Sequence, residues 1–154
     1  MKWDHKKSIV LSKVSVIIFF VLYIGVLFIC TDISRFSARI SYWIFSGLSE
    51  DYVLFLCRTV YICAIPIGLI LIILYRLIQS IGDEQIFTDA NIRRLRIISW
   101  LCILVALICV IASVWGIFFL FIAACAAFMG ILLRVIKNVF ERAQEIKQEN
   151  DYTI

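Results

Sequence analysis

From Ile97 to Leu133 the chain runs for 37 residues without a charged side chain, and Arg96 and Arg134 close the run at its two ends. At 1.5 Å per residue a single helix of that length would span roughly 55 Å. The hydrocarbon core of a bilayer is about 30 Å thick, so one straight helix would push roughly 20 Å of apolar surface beyond it, more than tilting usually absorbs. Two spans joined by a turn remove the mismatch. The turn is expected near Ser113-Val114-Trp115-Gly116, because glycine takes backbone conformations that other residues resist and tryptophan favours the membrane–water interface. A hairpin buried in a large soluble protein would need more surrounding chain than 154 residues supply.

Composition points the same way. Hydrophobic residues make up 64% of the chain and charged residues 17%, against roughly half and a quarter in ordinary soluble domains. The expected fold class is all-α: a four-helix transmembrane bundle forming a single membrane domain over 1–154. Its spans are about 9–31, 53–75, 97–114 and 117–136, followed by a helical tail over 137–154. The basic start followed by an apolar run also suits a secretory signal peptide, but no small-residue cleavage pattern follows Cys30-Thr31-Asp32, so the first span is read as retained. Five of the six cysteines, Cys57, Cys63, Cys102, Cys109 and Cys125, fall inside apolar spans and act there as small hydrophobes. Cys30 and Cys57 are both expected near the outer face, within reach of a disulfide if geometry permits. His5 is the only histidine and there is no C-x-x-C pair, so neither a metal site nor a cofactor is expected.

Between the first two spans, Ile33, Phe36, Ile40, Trp43, Ile44 and Leu48 recur at three- and four-residue steps with polar residues between them. That is the period of an amphipathic helix over 32–49, with Asp32 as N-cap and Gly47 as stop. It is expected to lie in the membrane interface or to form a short soluble helix over the bundle. Within the second span, Arg58 is expensive in lipid. Either it snorkels to the outer interface or it meets a buried partner or ligand. Pro66 lacks an amide donor and is expected to kink the same helix, next to Gly68. Gly82-Asp83-Glu84 reads as a turn, and Thr88 as the N-cap of the helix that carries Arg93, Arg94 and Arg96 into the third span. In the fourth span, Ala123/Ala127 and Ala126/Gly130 form small-xxx-small pairs, suited to packing inside the bundle or to a homo-oligomer contact. Lys137 with Glu141 and Arg142 with Glu145 are expected pairs along the tail.

Lysine and arginine set the threading. The N-terminal segment holds Lys2, Lys6, Lys7 and Lys13, the second connection Arg76, Arg93, Arg94 and Arg96, and the C-terminal segment Arg134, Lys137, Arg142 and Lys147. The first connection holds only Arg35 and Arg39, and the hairpin turn none. Four spans with both termini in the cytoplasm is the assignment that agrees.

Two stretches carry a resemblance. The segment Phe87-Thr88-Asp89-Ala90-Asn91-Ile92-Arg93-Arg94-Leu95-Arg96-Ile97-Ile98-Ser99 and the ending Glu149-Asn150-Asp151-Tyr152-Thr153-Ile154 resemble motifs of an uncharacterised bacterial family of small four-helix membrane proteins, domain of unknown function 2975. The resemblance implies a bacterial cytoplasmic-membrane protein, often encoded beside a small Cro-like helix-turn-helix regulator. It brings no catalytic residues with it. It singles out Phe87, Asn91, Leu95, Arg96, Glu149, Asn150, Asp151 and Thr153 as candidate functional positions, beside Arg58 and Pro66 from the spans themselves.

Three function classes follow. The first is a non-enzymatic membrane partner or sensor for a cytosolic helix-turn-helix regulator, with no direct contact to nucleic acid, acting through the Thr88–Arg96 segment and the tail. The second is a small transporter, channel subunit or immunity-type membrane protein, which needs a polar path. The spans offer only Arg58, scattered Ser and Thr, and Pro66, without the internal repeats of transporters. The third, an intramembrane enzyme, needs facing acids, histidines or an activated nucleophile, and no span holds Asp, Glu or His. Ser99 and Ser113 are read as helix-packing hydroxyls.

Overall fold

The computed structural model describes the backbone of residues 2–40, 50–82 and 88–151, with side chains within 7–30, 55–82 and 88–149. The fold is all-α. Helix α1 spans Lys2–Ile40, α2 Glu50–Gly82, α3 Asp89–Ala112 and α4 Ile117–Asp151. Each contains a stretch long and apolar enough to cross a bilayer. One 3₁₀ turn, Ser113–Trp115, separates α3 from α4.

The turn closes its own backbone. Gly116 donates to the Ser113 carbonyl and Phe119 to the Gly116 carbonyl, both at 3.1 Å, and the Ser113 hydroxyl donates to Val110 O at 2.6 Å. These bonds serve groups that a helix end otherwise leaves without an intrahelical partner. Gly116 itself is extended (φ −179°, ψ 133°), a conformation open to any residue. The expected reliance on glycine's conformational freedom is therefore not used. Trp115 stacks on Phe55 at 4.7 Å between ring centroids, which pins the turn to the start of α2.

A second expectation is corrected in α1, which runs unbroken through Asp32 to Ile40, so Asp32 does not cap a separate helix. A side-chain cap adds about 1 kcal/mol, whereas a new start would give up several backbone hydrogen bonds, and no proline or glycine between Thr31 and Ile40 forces that break. The rest of the expected amphipathic segment, including Gly47, lies outside the described residues. Helix α2 contains Pro66 in its interior, where the residue is buried.

The substantial interfaces among the described residues run between helices adjacent in the chain, α1 with α2, α2 with α3, and most extensively α3 with α4. Lipid tails are as apolar as leucine, so helices in a membrane gain little from hydrophobic burial and associate through close backbone packing and hydrogen bonds. The α3–α4 seam uses both. Ser99, 2% exposed, donates its hydroxyl to Gly130 O at 2.7 Å. A Cβ on Gly130 would lie 3.1 Å from Ile103 Cγ1 and 3.2 Å from the Ser99 carbonyl oxygen. Further along, Cys63, Val105, Cys109 and Ala123 form the buried cluster where α2, α3 and α4 meet, with Ala126 packed against it. Ala123, Ala126 and Gly130 thus serve packing within the chain. The α1–α2 contact is lighter: Tyr23 donates to Ala64 O at 2.9 Å, and its ring rests against Gly68. Almost none of the α1 span is buried, against a third of the α3 span.

The contacts define two ends. Lys13 beside Gly82, Arg94 on Arg76 O and Arg96 with Glu141 form a basic end. Cys57 on Cys30 O and the Ser113–Trp115 turn form the opposite, turn end. Both Cys30 and Cys57 are free thiols.

The Gly130→Ala variant is expected to lower the thermal midpoint in detergent, monitored by circular dichroism. The added methyl meets the Ser99 backbone, an overpacking cost of roughly 1–3 kcal/mol that outweighs the ~1 kcal/mol gain in helix propensity. Gly25, with nothing within 4 Å of an added Cβ, keeps only the propensity gain, so Gly25→Ala is expected to leave the midpoint unchanged or raise it.

Candidate functional site: a polar cleft at the basic end

Helix α4 has 35 residues, about 52 Å of helix, so it outlasts the ~30 Å hydrocarbon core by roughly 20 Å. The changeover is marked by Arg134, whose guanidinium lies over the Trp100 ring at 4.9 Å. Beyond it the helix turns polar and runs beside the first turns of α3. The two helices present matching stripes. On α3, Asp89, Ile92, Arg93 and Arg96 follow the i, i+3, i+4, i+7 spacing of one helix face. On α4, Glu141, Gln144, Glu145 and Gln148 follow the same spacing. Together they line a cleft of about 510 Å³.

Two bridges cross this cleft. Arg96 Nη2 meets Glu141 Oε1 at 3.2 Å, and Gln144 Nε2 donates to Asp89 Oδ1 at 2.9 Å. Along α4, Lys137 pairs with Glu141 and Arg142 with Glu145 at 3.1 Å. Hydrogen bonding from Lys137, reinforced by the charges of Lys137 and Arg96, holds the Glu141 carboxyl below the usual carboxylate range. Arg93 lines the cleft and is exposed. The Thr88 hydroxyl and Gln144 Oε1 are buried with no hydrogen-bond partner.

Thr88 occupies the N-cap position, with extended backbone (φ −128°, ψ 148°), and its carbonyl accepts from Asn91 and Ile92. Its hydroxyl makes no cap bond, contrary to expectation; nothing in the structure explains this. Asp89 in the first turn supplies the negative charge that a helix N-terminus favours.

Behind the cleft, Asn91 is completely buried and accepts from Arg94 Nη1 at 2.8 Å. The same nitrogen donates to Arg76 O at 3.3 Å, so one guanidinium ties α3 to α2. Leu95, 4% exposed, packs in the core. Of the positions singled out by the resemblance, then, Arg96 bridges the cleft, while Asn91 and Leu95 hold its α3 wall in place. Glu149 is exposed near the end of α4, and the backbone of Asn150 and Asp151 continues that helix; Phe87 and Thr153 lie outside the described residues. Arg58 lies 24 positions before Gly82 in α2, about 36 Å along the helix, toward the turn end and away from the cleft. It is exposed, and no acid among the described residues forms an ion pair with it. Pro66 is buried in mid-helix and takes no part in the cleft. Sequence reasoning missed Asp89, Arg93, Gln144, Glu145 and Gln148 as a group. The signal was present in the twin stripes, but pairing them needs the α3–α4 register.

Four apolar helices and a polar cleft beyond them define a multi-pass membrane protein. A family model described as "Protein of unknown function (DUF2975)" matches residues 8–154, and the chain belongs to that family. No curated protein and no solved structure matches the chain.

Carboxyl NMR titration of the full chain in micelles is expected to place Glu141 below the ordinary glutamate value of about 4.3. Lys137→Gln should raise it further than Arg96→Gln does, because the Lys137 hydrogen bond is the larger cause.

Proposed function

We propose that the protein is a non-enzymatic partner or sensor in the bacterial cytoplasmic membrane that engages a cytosolic helix-turn-helix regulator through the cleft between α3 and α4. The observation that carries this reading is the cleft itself. It lies beyond the apolar thickness, between two helices set by a packed seam, and it offers both signs of charge together with amide groups. Such a surface suits a folded protein partner, for which complementary charges fix register and exclude wrong partners. The charge distribution supports a cytoplasmic cleft. Twelve Lys and Arg residues belong to the two termini and the second connection, against two in the first connection, which argues for both termini inside.

The transporter or immunity-type alternative draws no support from the spans. Among the described residues of the spans, the buried polar side chains Thr59 and Ser99 are bonded to the backbone at Phe55 and Gly130 and form no continuous path.

The test is capture of a helix-turn-helix regulator encoded next to the chain, using full-length protein in detergent. The wild-type chain is expected to retain it. Arg93→Glu should reduce recovery several-fold, since Arg93 is an exposed cleft charge, and a chain lacking residues 135–154 should lose it. Equal recovery from all three would contradict the proposal.

A further inference from the structure

A second recess lies within the apolar thickness, between α1 and α2. It measures about 270 Å³ and is lined by Val16, Ile17, Phe20 and Val21 on one helix and by Leu71, Ile72, Tyr75 and Arg76 on the other. Its cause is visible in the packing. The two helices are held together at Tyr23, whose hydroxyl reaches Ala64 O and whose ring occupies the space above Gly68. Toward the basic end, Lys13 and Ile9 lie against Gly82. Between these points Phe20, Ile17, Ile72 and Tyr75 remain exposed at 37%, 51%, 46% and 39%, and the helices leave a groove. Its volume lies just below the ~300 Å³ at which drug-sized ligand pockets begin. It has room for a length of hydrocarbon chain.

The groove is apolar along its length and cationic at one end. Arg76 is part of its wall, and the guanidinium of Arg94 is bonded to the backbone oxygen of that same residue. Arg76 therefore stands at the basic end of the groove, where the apolar spans give way to charge, with its backbone held by Arg94. Arginine binds phosphate through paired N–H donors, and basic pockets between transmembrane helices recognise anionic lipid headgroups. We infer that this groove is a binding site for an anionic phospholipid, with one acyl chain along Val16, Phe20, Ile72 and Tyr75 and the phosphate on Arg76. Charge complementarity selects the anionic class. The lateral position within the membrane selects a lipid over a soluble phosphate. This site is separate from the α3–α4 cleft and does not depend on the function proposed for it.

Full-length protein, stripped of lipid in detergent, is titrated with phosphatidylglycerol, phosphatidylcholine or glycerol phosphate and read by native mass spectrometry. Wild-type protein is expected to retain one phosphatidylglycerol about fivefold more tightly than phosphatidylcholine, the ratio expected for one cation near the headgroups. Glycerol phosphate should not displace it. Arg76→Gln should bring the two lipids to parity, and Arg76→Lys should restore part of the preference. Ile72→Trp, which fills the groove, should weaken both lipids while circular dichroism shows the helical content retained. Because Arg76 is exposed, the Arg76 variants decide the matter even if Ile72→Trp fails to fold. Equal binding of the two lipids by wild-type protein, an unchanged preference in Arg76→Gln, or displacement by glycerol phosphate would overturn the inference.

Discussion

A charged side chain cannot rest in hydrocarbon without a partner or an escape to the interface, and most of this fold follows from that constraint. The stretch from Ile97 to Leu133 carries no charge and is too long for one crossing, so α3 and α4 form a hairpin. The hairpin places the two helices side by side, and with little hydrophobic drive between helices in lipid, close packing has to hold them. Gly130 and Ala123 leave room for the backbones to approach, and the Ser99 hydroxyl donates to the Gly130 carbonyl across the seam. The α1–α2 pair, bonded at Tyr23 and at Cys57, leaves a groove toward the basic end.

The seam inside the membrane sets the geometry of the cleft beyond it. Once Ser99 is opposite Gly130, Arg96 falls within reach of Glu141 and Asp89 within reach of Gln144. Exposed ion pairs of this kind contribute little to stability. Their consequence is geometric: they keep charges of both signs in fixed positions on a rigid pair of helices. Asn91 and Arg94 extend the same frame to α2 through Arg76 O. The basic end is thus one connected structure, from the end of α2 through the start of α3 to the extension of α4.

Much of this was legible in the sequence, because hydropathy and charge act at the scale of whole helices. Four helices follow from four apolar runs, and the Lys137–Glu141 and Arg142–Glu145 pairs follow from helical spacing. Local signals were less faithful. Asp32 resembles a cap but lies inside α1, because nothing there forces the helix to end. Gly116 follows the hairpin turn, yet its backbone is extended and a glycine is not needed. Thr88 sits where a cap belongs, with its hydroxyl unused. Contacts between helices were not legible, because they depend on register. Asn91 and Leu95 stood out as motif positions, but only the fold shows that their side chains are buried supports for the cleft wall.

The account rests on two crossings between Arg96 and Arg134, with the Trp115 turn and the C-terminus on opposite faces of the membrane. Alkaline phosphatase fused after Trp115 or after Ile154 in living bacterial cells measures this directly, because the enzyme is active only outside the cytoplasm. The predicted result is high activity after Trp115 and none after Ile154. Activity of the same kind at both positions, or activity only after Ile154, would contradict it.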